Sequence, residues 1–203
     1  MLRHARRRAG GFSIIELMVV VTLISFLAVL AVPAFGTWTA DAHVRAAAES
    51  LTNAIRLSQS MAIAKGRTSM FALTTDKSPV YTSTPTANGS NWIAELNPLA
   101  GSDETAATLG LLLKSTEGTQ HGVSITGPAL ICFSSVGRQT SLTATQTSLG
   151  VACSAGADDT HPTTYTVSKT NATRQFNVLV YLGGRVRMCD AAKTLSSSNP
   201  DGC

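Results

Sequence analysis

The sequence predicts an α+β protein in which one long N-terminal helix precedes a domain of antiparallel strands. Three observations support this fold class. Residues 11–35 form a nearly unbroken apolar run, residues 44–62 carry an apolar stripe at helical spacing, and the chain after residue 66 is rich in threonine, serine and glycine. In that last part, short segments typical of β-strands alternate with turn-forming stretches.

The apolar run, GFSIIELMVVVTLISFLAVLAVPAF, contains a single ionisable side chain, Glu16. A helix needs roughly 20 apolar residues to cross a bilayer, and this run is longer. A carboxylate in such a segment is costly unless a positive charge pairs with it. A secretory signal peptide would have a shorter apolar core followed by small residues at its cleavage site, so an ordinary signal peptide or anchor fits this pattern poorly.

A basic segment precedes the apolar run, with Arg3, His4, Arg6, Arg7 and Arg8 in its sequence. By the positive-inside rule this segment holds the N-terminus in the cytoplasm. The whole chain has 16 Lys and Arg against 12 Asp and Glu. Four of the arginines lie in residues 1–11, so the rest of the chain has equal numbers of both signs. The basic balance therefore belongs to this first segment and does not indicate a general affinity for nucleic acid.

The second half of the predicted helix is amphipathic. Small or apolar residues recur at steps of three and four: Val44, Ala48, Leu51, Ile55, Ser58 and Ala62. The remaining surface is expected to carry Arg45, Glu49, Asn53, Arg56 and Gln59. This pattern predicts a helix that covers a sheet with one face, and Gly66 is a typical residue for its C-terminal cap. One helix from Phe12 to Lys65 would be on the order of 80 Å long.

The rest of the chain is expected to form a single β-rich domain. The predicted strands are Thr68–Thr74, Asn91–Leu96, Gly110–Lys114, Val123–Ile125, Leu130–Ser134, Thr163–Ser168 and Asn177–Leu182. Residues 169–173 are expected to form the turn between the last two, and residues 76–90 and 97–108 to form loops. The predicted organisation is a leader at 1–11, a membrane or filament-core helix at 12–35, an amphipathic helix at 36–66 and a globular head at 67–203.

Four cysteines, Cys132, Cys153, Cys189 and Cys203, lie in the part expected outside the cytoplasm, where disulfides persist. Three pairings are possible, and the local one (Cys132–Cys153 and Cys189–Cys203) is favoured because both of its loops are short. No CxxC pair is present and the four histidines are scattered. We therefore predict no metal site and no cofactor. No grouping of nucleophile, base and acid stands out, so we predict that the protein is not an enzyme.

The last 35 residues are basic. Residues 169–203 carry five positive and two negative side chains, whereas residues 12–168 carry seven positive and ten negative. The five cations are Lys169, Arg174, Arg185, Arg187 and Lys193. On a strand, Arg185 and Arg187 would point the same way and could grip phosphates, which makes these five a candidate surface for sequence-independent DNA contact. The alternatives are a solvated strand edge guarded by charge, or an ion pair between Arg187 and Asp190.

The segment Gly11-Phe12-Ser13-Ile14-Ile15-Glu16-Leu17, with Pro33 further along the helix, resembles the signal of type IV pilins and of the pseudopilins of type II secretion systems. The resemblance implies that a prepilin peptidase cuts after Gly11 and methylates the new amine of Phe12. It also implies that Glu16 pairs with that amine, on its own or a neighbouring subunit, and sets the register of assembly.

Shorter segments resemble the GspH/FimT family of minor pilins. They are 45–51 and 62–65 in the helix, Ile131–Arg138 with its glycine turn, and Gly184-Arg185-Val186-Arg187. The resemblance implies a pilin fold, a single-pass protein of the inner membrane with a periplasmic head, and later a place in a pilus. The implied partners are major and minor pilins, the peptidase and the inner-membrane assembly platform. The implied role is priming of pilus assembly near the tip, with DNA uptake as an added role of the C-terminal arginines. A GspH-like pseudopilin is the alternative.

Overall fold

One long helix and two antiparallel sheets make up the described chain. The structure, a computed structural model, describes residues 11–203, except for the side chains of residues 30–34. The helices are α1 (Ile14–Lys65), α2 (Ala106–Leu109) and α3 (Glu117–His121), with a 3-10 turn at Ala144–Gln146. The strands are β1 (Ser69–Thr74), β2 (Asn91–Leu96), β3 (Leu111–Ser115), β4 (Ser124–Thr126), β5 (Leu130–Phe133), β6 (Gln139–Thr140), β7 (Thr163–Ser168), β8 (Phe176–Val180) and β9 (Val186–Asp190). Of the predicted leader, residues 1–10 lie outside the described residues.

Helix α1 has 52 residues and ends where the sequence predicts. Gly66 adopts the left-handed conformation at φ 64°, and its N–H donates to the carbonyl of Ile63. The next N–H, of Arg67, donates to the carbonyl of Ala62 at 3.1 Å. These bonds satisfy carbonyls that the helix end would leave open, which is why a glycine stands at this position. The predicted long helix and its C-terminal cap are confirmed.

The first half of α1 has no partner within the described chain. Every side chain from Phe12 to Val29 is exposed, with Phe12 at 82% and Phe26 at 67%. In the described residues, no helix combines the length and the apolar character that a membrane span needs. Within the span predicted over residues 12–35, the side chains of residues 30–34, including that of Pro33, lie outside the described residues.

The second half of α1 packs on the head with the predicted stripe. All six stripe residues are buried: Val44, Ala48, Leu51, Ile55, Ser58 and Ala62. The five apolar ones form one cluster with residues of both sheets, including Phe71, Trp92, Tyr165 and Val178, while the Ser58 hydroxyl bonds that of Ser69. Burial of each large side chain in such a cluster stabilises the fold by roughly 1.5–3 kcal/mol. This cluster fixes α1 against the two sheets.

The first sheet has five strands in the order β3-β2-β1-β5-β6, and the second has four in the order β4-β7-β8-β9. All paired strands are antiparallel. In the first sheet the register runs from Ser69 opposite Leu96 to Thr74 opposite Asn91. Since β1 and β2 are buried along their whole length, both faces of this sheet are covered.

Residues 141–154, which we call the cover segment, lie over the second face of the five-stranded sheet. Leu142, Leu149 and Val151 pack there against a smaller apolar cluster that includes Met70 and Ile93. The segment is held by the Cys132–Cys153 disulfide and by the Asn97 side chain, which bonds the carbonyl of Gln146 and the N–H of Ser148. A segment with no recognisable sequence pattern thus closes the second face of the five-stranded sheet.

The predicted strands all occur, with bounds that differ by at most two residues at either end. The expected turn at 169–173 joins β7 to β8, with Asn171 at φ 66°. The short strand β6 and the short helices α2 and α3 were not predicted. Strand β9 was not among the predicted strands either, although Arg185 and Arg187 were expected on a strand.

Candidate functional site

Two regions bear on function, and the first is the start of α1. Gly11, Phe12 and Ser13 precede the helix in irregular backbone, and Glu16 lies in its first turn. A side chain added at Gly11 would meet no atom of the described chain within 4 Å, and Gly11 is not among the glycines with positive φ. Within the structure, neither packing nor conformation requires glycine there. Glu16 is exposed and has no ion-pair partner among the described residues.

The second region is the C-terminal part of the four-stranded sheet, where the five predicted cations lie. Arg174 donates to Asp190 at 2.6 Å and stacks over the ring of Phe176 at 5.3 Å. Asp190 is buried, and the hydrogen bond from Arg174 helps to hold its pKa below the ordinary value although burial acts in the opposite direction. The ion pair considered from the sequence joined Asp190 to Arg187, and the structure gives Asp190 to Arg174 instead.

Three more of these cations are bonded within the chain. Arg187 donates from Nη2 to the carbonyls of Gly202 at 2.6 Å and Pro200 at 3.2 Å, and so fastens the C-terminal tail. Lys193 pairs with Asp201 at 2.6 Å. The Lys169 ammonium donates to the carbonyl of His121. The Cys189–Cys203 disulfide closes the same tail, and both disulfides follow the local pairing favoured from the sequence.

Arg185 differs from the other four because it is exposed as a whole residue, whereas they are half-buried. It stacks on the Tyr181 ring at 3.8 Å from the ring centroid and has no carboxylate partner among the described residues. The predicted basic surface is therefore not one free set of five cations. The sequence places these charges close together along the chain, but it does not show that two aspartates, two tail carbonyls and the carbonyl of His121 bind four of them.

Gln59 joins the two glycine turns of the head to α1. Its Nε2 donates to the carbonyl of Gly137 at 2.6 Å and to that of Gly184 at 2.8 Å. Gly137 follows β5 and Gly184 precedes β9, so this single side chain ties both sheets to the helix. Gln59 was expected on the exposed surface and is half-buried. Because its position in the stripe pattern is polar, periodicity alone could not assign it this contact.

Asp41 makes a similar connection nearer the start of the head. Its carboxylate accepts from the N–H and the hydroxyl of Thr173, both at 2.7 Å, and from the N–H of Arg174 at 3.0 Å. The hydroxyl bond from Thr173 is the largest cause that holds the pKa of Asp41 below its ordinary value. The β7–β8 turn is thus anchored on α1, a role that the sequence analysis did not find.

Glu95 is a buried carboxyl in the centre of the five-stranded sheet. Its side chain is fully buried, and its Oε1 accepts from the Ser148 hydroxyl of the cover segment at 2.8 Å. Its Oε2 has no hydrogen-bond partner in the described chain. Burial raises the pKa of Glu95, and the bond from Ser148 offsets only part of this effect. No sequence pattern indicates this burial, since a lone glutamate in a predicted strand is normally exposed.

We expect Glu95→Gln to stabilise the protein at neutral pH and to have little effect below about pH 4.5, the ordinary pKa of the side chain. A carboxyl whose pKa is raised by folding favours the folded state fully at low pH, and this contribution is lost as the pH rises. Glutamine keeps the acceptor for Ser148 without the charge. The gain at pH 7 should be about 1–3 kcal/mol in the free energy of unfolding.

Chemical unfolding of the full chain in mild detergent at pH 4 and pH 7 measures this difference. Glu49→Gln is the matched control, because Glu49 is exposed and pairs with Arg45 on the surface of α1. Exposed pairs of this kind contribute about 0–1 kcal/mol. A Glu95→Gln variant whose advantage is the same at both pH values would contradict the buried-charge interpretation.

The described residues contain no group of three or more His, Cys, Asp or Glu side chains that could hold a metal ion. Comparison with known proteins gives a family match at one end of the chain. The model for the prokaryotic N-terminal methylation motif matches residues 6–32. No curated protein shows a significant match to the sequence.

Among solved structures, the chain is similar to the type IV minor pilin FimU of Pseudomonas aeruginosa strain PAO1 in two crystal forms. The form in space group P65 is 15% identical, with a TM-score of 0.43, over 73% of this chain and 94% of FimU. The form in space group P21 is 14% identical, with a TM-score of 0.44, over 74% of this chain and 90% of FimU. The chain thus carries the prokaryotic N-terminal methylation motif where α1 begins, and this long helix precedes an antiparallel β-sheet head.

Proposed function

We propose that this chain is a prepilin that is cut after Gly11, methylated on the amine of Phe12 and built into a type IV pilus as a minor subunit. The observation that carries the proposal is the methylation motif, which continues into the first half of α1. The side chains of residues 12–29 are all exposed there. Exposed apolar surface of this extent needs lipid or other helices to cover it. Gly11 supports the processing step, because nothing within the described chain requires glycine at this position.

Glu16 has a structural role in this proposal. After cleavage, Phe12 carries an ammonium group four residues from Glu16, and residues at this spacing lie on the same face of a helix. In a bundle of low dielectric the two opposite charges attract strongly, while either charge alone is penalised. The pair, formed within one subunit or between neighbours, selects the register in which a subunit enters the bundle.

The same proposal assigns the location and the partners. The subunit waits in the inner membrane with its N-terminus in the cytoplasm and its head in the periplasm, and it then moves into the pilus. Its partners are the prepilin peptidase, the assembly platform and the major and minor pilins. A place near the tip, in the priming of assembly, is our proposal for a subunit of GspH/FimT type. Its support is that two segments of that resemblance, which contain Gly137 and Gly184, meet at the Gln59 side chain of α1.

We do not extend the proposal to DNA capture. Two of the five predicted cations, Arg174 and Lys193, are neutralised by aspartates, and neutralised cations contribute little to the release of counterions on which sequence-independent binding depends. Arg187 and Lys169 keep their charge, but backbone carbonyls of the chain already hold them in place. Arg185 is the one exposed residue of the five, and its guanidinium stacks on Tyr181.

The N-terminal residue of the mature protein and its recovery in filaments test the proposal. We expect mass spectrometry to find a methylated Phe12 at the N-terminus. We expect Glu16→Ala to reach the membrane normally but to appear in sheared filaments at least tenfold less than the parent chain. Its matched control is Glu49→Ala, which removes an exposed carboxylate of the same helix.

A mature protein that begins elsewhere, or Glu16→Ala filaments with the normal amount of subunit, would contradict the proposal. The assay also separates the two machines. Recovery in secretion pseudopili and not in pili would assign the chain to the alternative, a GspH-like pseudopilin.

A further inference from the structure

The edges of the two sheets differ in how well they are closed. Strand β6 has only two residues, and the N–H of Gln139 donates to the carbonyl of Leu182. Strand β4 has three residues, of which Ser124 and Thr126 are exposed. The outer edge of strand β9 is bonded at both ends. Asp190 forms a β-bridge with Gly202 of the C-terminal tail, and Arg56 donates to the carbonyl of Val186. Three of the four edges are thus short or already bonded.

Strand β3 is the fourth edge, and it is open. It has five residues and pairs with β2 on one side only. In an antiparallel edge strand, every second residue turns its N–H and C=O away from the partner. Among the described residues, no backbone group outside β2 bonds to the backbone of 111–115. The outer side of β3 therefore presents a row of free backbone donors and acceptors.

The side chains of β3 are unusual for an unpaired edge. Leu111, Leu112 and Leu113 are consecutive, so both faces of the strand are apolar, and all three are only half-buried. A bulge opposite Ala94 and Glu95 lets Leu112 and Leu113 pack against the main cluster, while Leu111 reaches the smaller one. Natural edge strands are usually protected by charges, and here Lys114 is the only charge in the strand.

We propose that β3 is a docking edge for an extended segment of a neighbouring subunit, which adds as a sixth strand to the five-stranded sheet. This proposal goes beyond the proposed function and rests on it for the setting, a filament whose subunits share one direction. Main-chain hydrogen bonds would supply the affinity, and the side chains that alternate over the two faces would supply the selectivity. The incoming segment has apolar residues next to the leucines and a carboxylate next to Lys114, which is exposed and unpaired among the described residues.

The occupant is not the β3 strand of a second copy paired in the antiparallel direction. Antiparallel pairing of two β3 strands would place a two-fold axis normal to the sheet. Because α1 lies on the face of this sheet, against β1 and β2, that axis would turn the second α1 to the opposite direction. Two subunits anchored in one membrane or filament have their α1 helices in the same direction, so this pairing is unavailable to them.

Amide hydrogen exchange of the full chain tests the proposal, with the protein in detergent micelles compared with the protein in filaments. We expect exchange in the peptide that covers residues 110–116 to slow at least tenfold on assembly. The peptide that covers β4, residues 124–126, is the internal control and should change little. Equal exchange of the 110–116 peptide in both samples would overturn the proposal. Slowed exchange in micelles of the pure chain, with a dimer in solution, would overturn the choice of occupant.

A charge reversal gives a second measurement. We expect Lys114→Glu to lower recovery in filaments about tenfold, because it repels the carboxylate of the incoming strand. Lys77→Glu is the matched control, since Lys77 is also exposed and lies in the loop after β1. Normal recovery of Lys114→Glu would count against the docking edge. Failure of the parent chain to enter filaments at all would overturn the proposed function instead, so the two failures are distinguishable.

Discussion

Replacing Gly184 with alanine is expected to destabilise the head by about 3–5 kcal/mol. Gly184 has φ 94°, a conformation that a residue with a Cβ adopts only with strain. An alanine Cβ would also lie 2.0 Å from the carbonyl oxygen of Gly137 and 2.4 Å from Nε2 of Gln59. The oxygen belongs to the backbone of a tight turn, so it cannot move aside as the end of a flexible side chain could.

The consequence is specific to the junction between the two sheets. Relief of the clash requires the β8–β9 turn to withdraw from the β5–β6 turn, which breaks both bonds made by Gln59. The adjacent Gly183 provides a matched control. A Cβ at Gly183 would meet only one atom, Oδ1 of Asp159 at 3.8 Å, and Gly183 is not among the positive-φ glycines. Gly183→Ala should therefore cost less than 1 kcal/mol.

Chemical unfolding of the two variants in mild detergent, followed by near-ultraviolet circular dichroism, measures the difference. The interpretation predicts a large shift of the midpoint for Gly184→Ala alone. Equal midpoints for the two alanine variants would show that the turn can relax and that the junction contributes little to stability.

The parts of the fold that could be predicted from the sequence are those with a repeating pattern. The stripe on α1 has the period of a helix, so its buried face and its cap at Gly66 could be predicted from the residue order. Most strands could be placed because β-branched and aromatic residues are bounded by turn formers. Strand β9 was harder to place, because its five residues include Arg187 and Asp190, which are not typical of a strand.

The candidate sites divide in the same way. The processing segment at Gly11, Phe12 and Glu16 is local, so the sequence alone was sufficient to propose it. The partners of the C-terminal cations could not be predicted in this way, because each cation has several possible acceptors nearby in the sequence. Only the fold shows that Arg174 pairs with Asp190. The contacts of Gln59 join positions 78 and 125 residues apart. No pattern in a single sequence encodes such distances.

The cover segment gives the second large prediction, because the Cys132–Cys153 disulfide is its covalent cross-link to β5 and the sequence has no pattern there. We expect the pair Cys132→Ala and Cys153→Ala to lower the free energy of unfolding by about 3 kcal/mol through chain entropy, since the bond links residues 21 apart. The sulfurs are also buried in the smaller apolar cluster, so their loss removes packing as well. Without the bond, the segment should leave the sheet locally while the rest of the head stays folded.

The other disulfide provides the comparison. Cys189 and Cys203 are 14 residues apart, so their removal should cost nearly the same chain entropy, about 3 kcal/mol. The tail, however, keeps other attachments: Arg187 to Gly202, and Lys193 to Asp201. It also covers no apolar cluster among those described.

Two measurements on the full chain in mild detergent therefore separate the variants. Unfolding midpoints should fall in both. Amide exchange under native conditions should rise strongly in β1 and β2 only when the Cys132–Cys153 bond is absent, because only then does water reach Met70 and Ile93. Unchanged exchange in these strands after loss of that bond would mean that hydrogen bonds are sufficient to keep the cover segment in place, namely those of Asn97 and Ser148 and the backbone bond from Ser154 to Leu130. The disulfide would then stabilise the protein by lowering the entropy of the unfolded chain, and not by holding the cover segment on the sheet.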